Sequence, residues 1–418
     1  MTPVPGGGTT RPEPASLLPA EVAPAPLGVS IDVSAIPAQP VGAGRYVVEL
    51  VRALGARPDV ELTLESRRGD VLRWRELATG PRILAVAPNP RPARLIFEEL
   101  ALGRVVRRLP GVAVHHAPHY SMPRWSGRPN VVTVHDCTFI DHPEWHERSK
   151  VLVFTRALRQ AARHAAAVVC PSETTAERFR ALCHPAGTVL VVPHGVDHGR
   201  FAPVEPEPGA DAARLADLAR LGIRPPYVLH LGTLEPRKDV ATLVRAFARL
   251  AAGTGSPRLD GGDLSLVLAG LSGWGGEDLE RALGELPEGL ARRIVRPGYV
   301  ADAALPALLR SCSAFVYASL EEGFGVPVLE ALACGAPVVT SRGTVMAEVA
   351  GEAALLAAPG DAAALAAALE AALEGGEDRA RRRLAGLRQV EPMTWEASAA
   401  GHVAAYRFAE STGAAAPR

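Results

Sequence analysis

The chain has 418 residues, long enough for two domains with full cores. Its 45 Lys and Arg balance 45 Asp and Glu, which argues against a general nucleic-acid binder. No uncharged apolar run reaches the roughly 18 residues of a membrane span, and five scattered cysteines (Cys137, Cys170, Cys183, Cys312, Cys334) without a C-x-x-C pair fit a reducing cytoplasm better than a disulfide frame or structural zinc.

In chain order, residues 1–26 are rich in Pro, Gly and Thr and lack the charged start and apolar core of a signal peptide, so a disordered tail is expected. Strand-like runs follow at Leu27–Val33, Arg82–Ala87, Val112–His115, Val131–Val134, Ala167–Val169 and Val189–Val192, with amphipathic helices between them. Gly42 and Gly44 stand just before a helix, where on their own they read as a simple turn. Arg91, Arg94, Arg104, Arg107 and Arg108 interleave with Leu95, Ile96, Leu100, Val105 and Val106. That pattern fits a membrane-surface helix or an ordinary amphipathic helix covering a sheet. Residues 1–205 carry a net charge of +5 and the remainder −5. A basic first half suits an anionic acceptor or membrane surface, and is equally compatible with drift.

Six histidines (His115, His116, His119, His135, His142, His146) invite a metal reading. Pro118 and Pro143 interrupt the two pairs spaced four apart and spoil a helical ligand face, so no metal site is expected. The run VTVHDCTFIDHPEW places His135 and Asp136 where a buried strand ends. A His in such a place is more often structural than catalytic.

Pro203–Gly209 is the expected linker. Beyond it, strands are expected at Tyr227–Leu231, Leu264–Ala269, Ile294–Val295, Ala314–Ala318, Val338–Thr340 and Ala354–Leu356, which implies parallel doubly wound sheets. In VLHLGTLEPRKDVATLVRAFARL a strand ends at Leu231, a loop carries Arg237 and Lys238, and Asp239 caps a helix with Leu243, Phe247 and Leu250 on one face. Lys150 and Lys238 are the only lysines of the chain. A Lys kept where Arg serves elsewhere suggests a need for a compact ammonium, the form in which Lys binds phosphate. In EEGFGVPVLEALACGAPVVTS a Gly-Phe-Gly turn leads to Pro327 and a helix that stops at Gly335. Unpaired N–H groups at that helix start favour an anion, with Glu322 and Glu330 as flanking acceptors for hydroxyls. The plainer reading is an ordinary βαβ unit with solvated charges. Ala362–Gly375 reads as a helix capped by Asp361.

Together these segments resemble the donor-binding domain of retaining glycosyltransferase family 4, which has the GT-B fold. The family's Gly-x-x-x-x-Arg-Lys falls on Gly232 to Arg237-Lys238, and its Glu-x7-Glu on Glu322 to Glu330. The resemblance covers about residues 28 to 410. It implies two Rossmann-like domains, an acceptor domain over 27–205 and a nucleotide-sugar domain over 206–390, with a helix in 391–418 crossing back. It implies that Arg237 and Lys238 stabilise the leaving diphosphate. Glu322, with the Phe324 and Gly325 backbone, would hold sugar hydroxyls, and Glu330 the ribose. As in mannosyltransferase-like members, His135 would orient the sugar and β-phosphate. Gly42 and Gly44 would face the donor phosphates across the cleft, Gly232 would open the donor loop, and Tyr299 and Val300 would line the base pocket. No Asp-x-Asp metal motif occurs, so a metal-independent reaction without cofactor is expected. The implied donor is a nucleotide-sugar, GDP-mannose first. The implied acceptor is a glycan, a lipid-linked glycan or a small molecule, met in the cytoplasm or at the inner membrane face. Alternatives are a GT-B nucleotide-sugar epimerase and a non-catalytic sugar-nucleotide-binding protein.

Overall fold

The computed structural model describes residues 25–203, 210–252 and 263–415. The expected tail, apart from its last two residues, and the expected linker, apart from Pro203, lie outside them. The described residues form two sheets. The first holds β1 (Leu27–Asp32), β2 (Val60–Arg67), β3 (Arg82–Ala87), β4 (Val114–Ala117), β5 (Asn130–Thr133), β6 (Ala167–Cys170) and β7 (Thr188–Val191). The second holds β8 (Tyr227–Leu231), β9 (Ser265–Ala269), β10 (Ile294–Gly298), β11 (Ala314–Tyr317), β12 (Val338–Ser341) and β13 (Ala354–Ala357). All neighbouring strands are parallel.

The twelve expected strands are all present, with ends displaced by a few residues. β2 was not anticipated. Its sequence, VELTLESR, places Glu61 and Glu65 among the apolar residues and so looks like a solvated turn, yet Glu65 is fully buried.

Parallel strands are covered on both faces, so the two faces of one strand feed different cores. Val131 of β5 joins the cluster containing Tyr46, Trp74 and Tyr406, while Val132 joins the one with Phe139 and Phe179. In β8, Tyr227 and Leu229 pack with Phe315 and Leu329, while Val228 packs with Leu243 and Phe247. Truncating a fully buried Phe such as Phe247 would cost about 3–5 kcal/mol.

The strand orders are β3-β2-β1-β4-β5-β6-β7 and β10-β9-β8-β11-β12-β13. In each sheet the winding direction reverses once, between β1 and β4 and between β8 and β11. Open α/β sheets bind ligands at the carboxyl ends of strands beside such a reversal. The last helix, Trp395–Ala415, lies against β6 and the helix Ala43–Gly55. His402 Nε2 meets Tyr46 Oη at 2.7 Å, and Tyr406 Oη meets His116 Nδ1 at 2.8 Å.

Candidate active site

The loops after β8 and β11 meet at the second sheet's reversal point. Leu320 donates its N–H to Arg237 O at 2.9 Å, which ties them together. Arg237 Nη1 donates to Glu321 O at 3.0 Å and to Glu322 Oε2, while Nη2 donates to Glu235 Oε1 at 2.9 Å. Lys238 is 7% exposed, and its ammonium donates to Tyr317 Oη and Glu322 Oε1. An ammonium has three donors, so among the described residues one remains for a ligand. Burial alone would raise the Glu322 carboxyl, but Arg237 and Lys238 overcome it and hold it at about 2. Burial pulls the Lys238 ammonium down against the pull of Glu322. The Arg-Lys pair and the first glutamate, 84 residues apart, are thus one charged unit.

Glu322 leads into Gly323-Phe324-Gly325 and the helix Val326–Ala333. Gly325 adopts φ 96°, a conformation that favours glycine, and caps that helix without a side-chain bond. Pro327 has no N–H and Val328 donates to Gly325 O at 2.9 Å, so among the described residues the Val326 N–H is the one at this helix start left for another acceptor. The turn is pressed onto the first half. Gly323 O accepts from Ser172 Oγ at 2.9 Å and Thr175 Oγ1 at 3.0 Å. Phe324 meets the His194 ring edge-on at 4.7 Å. Glu348 accepts from the N–H of Glu173 at 2.9 Å, the N–H of Thr174 at 3.1 Å and Thr174 Oγ1 at 2.6 Å.

His135, just beyond β5, is buried beside this turn. Its Nε2 donates to Pro118 O at 2.8 Å, and burial pulls its pKa below the ordinary value. The neutral ring therefore keeps Nδ1 as an acceptor. Asp136 accepts from Thr138 N at 3.1 Å and Oγ1 at 2.8 Å, and its charge also acts on Arg237. Gly42 and Gly44 open the helix Ala43–Gly55, with Gly42 at its cap. The next residue, Arg45, reaches the other half and donates to Glu330 Oε1 at 2.8 Å. Gly232 faces Lys238 Cε and the Tyr317 ring. Tyr299 is 42% exposed beyond the end of β10. Val300 has its side chain in the core with Leu305 and Leu308.

The structure therefore joins His135, Arg237, Lys238, Glu322, Phe324, Gly325 and Glu330 along one inter-sheet cleft. It places Tyr299 at a separate strand end. Arg45, Ser172, Thr175, His194, Tyr317 and Glu348 were not singled out by sequence. Of these, Arg45 carried a readable signal, because it follows the Gly-x-Gly turn.

The remaining histidines have other partners. His116 meets Thr133 Oγ1 at 2.8 Å, and His142 stacks on Trp145 at 3.8 Å. Among the described residues no group of three or more His, Cys, Asp or Glu is arranged for a metal ion. The basic 91–108 segment forms two helices, Arg91–Leu100 and Leu102–Arg107. The first buries no residue and leaves Ile96 and Leu100 each 61% exposed, so it does not cover a sheet in the ordinary amphipathic way.

The profile described as Glycosyltransferase Family 4 matches residues 40–200, and the one described as Glycosyl transferases group 1 matches residues 217–388. O-antigen chain mannosyltransferase B of Escherichia coli is 30% identical over 71% of this chain and 74% of its own length. The GDP-mannose-dependent alpha-(1-6)-phosphatidylinositol monomannoside mannosyltransferase of Mycolicibacterium smegmatis is 34% identical, over 46% of this chain and 49% of that protein. Sucrose-phosphate synthase from Thermosynechococcus elongatus superposes with a TM-score of 0.70 over 93% of this chain and 100% of its own, at 23% identity, which speaks to fold alone. The chain belongs to glycosyltransferase family 4, as a mannosyltransferase-like member with the GT-B fold.

Proposed function

We propose that this glycosyltransferase moves a hexose, mannose first, from a nucleotide-sugar to an acceptor hydroxyl with retention of configuration and without a metal. The observation that carries the reading is the convergence of Arg237, Lys238 and Glu322 at the β8/β11 reversal, opposite His135. The acceptor oxygen attacks C1 from the face that the diphosphate leaves. The C1–O bond to the acceptor forms as the C1–O bond to phosphate breaks, and the acceptor proton passes to the departing diphosphate. No dedicated base is needed. The charge building on the diphosphate is the largest electrostatic demand. The remaining donor of Lys238 and the Arg237 guanidinium meet it, with the Val326 N–H at the helix start.

Glu322 and the backbone of Phe324 and Gly325 hold sugar hydroxyls, Glu330 holds the ribose, and the Gly42–Gly44 turn closes over the phosphates. His135 takes a narrower role than the family resemblance implies. With Nε2 donating to Pro118, its neutral ring offers only an acceptor, which suits a sugar hydroxyl rather than a phosphate oxygen. Tyr299 is kept as a base-pocket wall through its exposed ring.

GDP-mannose is the first choice of donor, in keeping with the GDP-mannose dependence of the mycobacterial relative. A lipid-linked or glycan acceptor, as in polysaccharide assembly, would bring the first half to the membrane. Exposed Ile96 and Leu100 beside Arg91, Arg104, Arg107 and Arg108 suit peripheral contact. Among the described residues no helix is long and apolar enough to cross a membrane.

A thermal-shift screen of sugar nucleotides, then turnover of the one that stabilises most, tests the reading. At a hundredfold excess over Kd the stabilisation is about 2.7 kcal/mol. Turnover abolished by EDTA and restored by magnesium would overturn metal independence. A product of inverted anomeric configuration would overturn retention.

A further inference from the structure

Glu330 lies on the helix Val326–Ala333 of the second half and is 2% exposed. Its Oε1 accepts from Arg45 Nη2, a side chain 285 residues away on the first half. Its Oε2 is buried and has no hydrogen-bond partner among the described residues. A carboxylate buried so deeply needs a cation or takes up a proton. Here burial pushes the carboxyl up, Arg45 and then Arg200 pull it back, and Asp302 adds to the rise. Of these groups Arg45 makes the hydrogen bond, and it comes from across the cleft. Opening the cleft would strip Glu330 of that partner and free its side chain to rotate.

We propose that Arg45 is a positioning residue of the donor site. It fixes Oε1 of Glu330, leaves Oε2 to accept from a ribose hydroxyl, and so completes the ribose contact only when the two halves are closed. This rests on the assignment of Glu330 to the ribose and extends it. Nucleotide recognition is then shared between the halves. A nucleotide bound to the open form would lack its ribose clamp until the Gly42–Gly44 turn brings Arg45 into place. The unpartnered oxygen is the feature that separates this role from a simple tie between halves. A tie has no reason to keep a buried acceptor open, and such an acceptor is costly unless a ligand fills it.

The test uses calorimetry with GDP and 2′,3′-dideoxy-GDP, and the matching uridine pair beside them. The variants are Arg45→Met, which keeps an unbranched apolar stem and loses the charge, Arg45→Lys, and Glu330→Gln. Wild type should prefer the ribo- over the dideoxynucleotide by at least about tenfold, as expected for a charged hydrogen bond. Arg45→Met should lose most of that preference while dideoxynucleotide affinity stays within about twofold, and Arg45→Lys should recover part of it. Two outcomes overturn the proposal. If Arg45→Met weakens both nucleotides equally, Arg45 acts on the phosphates or on closure alone. If it leaves the preference intact, Arg45 is only a tie. A full ribose preference in Glu330→Gln would instead overturn the ribose assignment itself, and that result is read without reference to Arg45.

Discussion

Gly323 lies directly against the backbone carbonyl of His135: a Cβ on Gly323 would stand 1.7 Å from that oxygen. The obstacle is backbone, which cannot swing aside as a side chain can. The two residues lie on opposite halves, so the clash opposes closure rather than folding of either half. Gly323→Ala should melt within a few degrees of wild type. Its transfer rate should fall about a hundredfold, the scale of a 1 Å misplacement of a reacting group. Steady-state kinetics and a thermal melt decide it. Unchanged kinetics would mean that catalysis does not need this contact.

Glu348 closes the same cleft from another side. Its carboxylate takes two backbone N–H groups and one hydroxyl at the start of the helix Glu173–Cys183. A carboxylate at a helix N-terminus is favoured by the exposed donors and the helix dipole. The site is exposed to solvent, so the net worth is about 1 kcal/mol. Glu348→Ala should therefore raise the donor KM about fivefold with little change in melting temperature. Small-angle scattering should show a larger radius of gyration. A wild-type radius and KM would show that the latch is redundant.

How much of this was legible in the sequence depends on distance along the chain. Gly232 to Lys238 and Glu322 to Glu330 each lie within one loop-to-helix segment, so local spacing exposes them. The partners of those residues come from elsewhere. Gly323 is held by Ser172 and Thr175, roughly 150 positions back, and Glu330 by Arg45, 285 positions back. No short-range pattern encodes such pairs. The strands were legible because parallel-sheet strands read as apolar runs. β2 was missed because its buried acid looks like a surface residue. The plainer reading of the 91–108 segment holds for Leu102–Arg107, which buries Leu102 and Val106, and not for Arg91–Leu100, which buries no residue. Its apolar positions follow helical spacing, yet Ile96 and Leu100 face outward.

That buried acid has a measurable consequence. Glu65 stands beside Asp32 in register, near Ser30 and His115. Burial first, then the Asp32 charge, pushes its carboxyl from 4.5 up to about 8. The folded state thus holds a proton that the unfolded chain releases. This contribution is full below pH 4.5 and is lost as pH rises through 8. His115 works in the opposite sense: burial holds its pKa at about 3, so the unfolded chain takes up a proton there that the folded state refuses, and stability from this group rises as pH climbs through 6.5. Buried His116, His119, His135, His194, His230 and His402 act as His115 does, so the fall in melting temperature should appear above about pH 7, where histidines are neutral in both states, and run to pH 8.5 in wild type. Glu65→Gln should flatten most of that slope and melt a few degrees higher at pH 8.5. Glu98, pushed up to about 7 chiefly by burial, leaves a residual slope. Parallel melting curves for the two proteins would refute this account.

Glu322 and Glu330 belong to one motif but should fail differently. Glu322 is held by Lys238 and Arg237, so its negative charge competes with any phosphate for the same two cations. Glu322→Gln removes the competitor and keeps the shape. Free nucleoside diphosphate should then bind at least as tightly as to wild type, because the ammonium and guanidinium are released to it. Transfer should nonetheless slow at least about tenfold, since a charged acceptor for the sugar hydroxyls is lost at the transition state. Glu330→Gln should weaken donor and diphosphate together, because the ribose contact is made in both ground and transition states. Calorimetric titration of diphosphate into both variants, with turnover measured beside it, separates the two. Weaker diphosphate binding in Glu322→Gln would mean that Glu322 serves the phosphate site by orienting Lys238 and Arg237, and the sugar assignment would then fall.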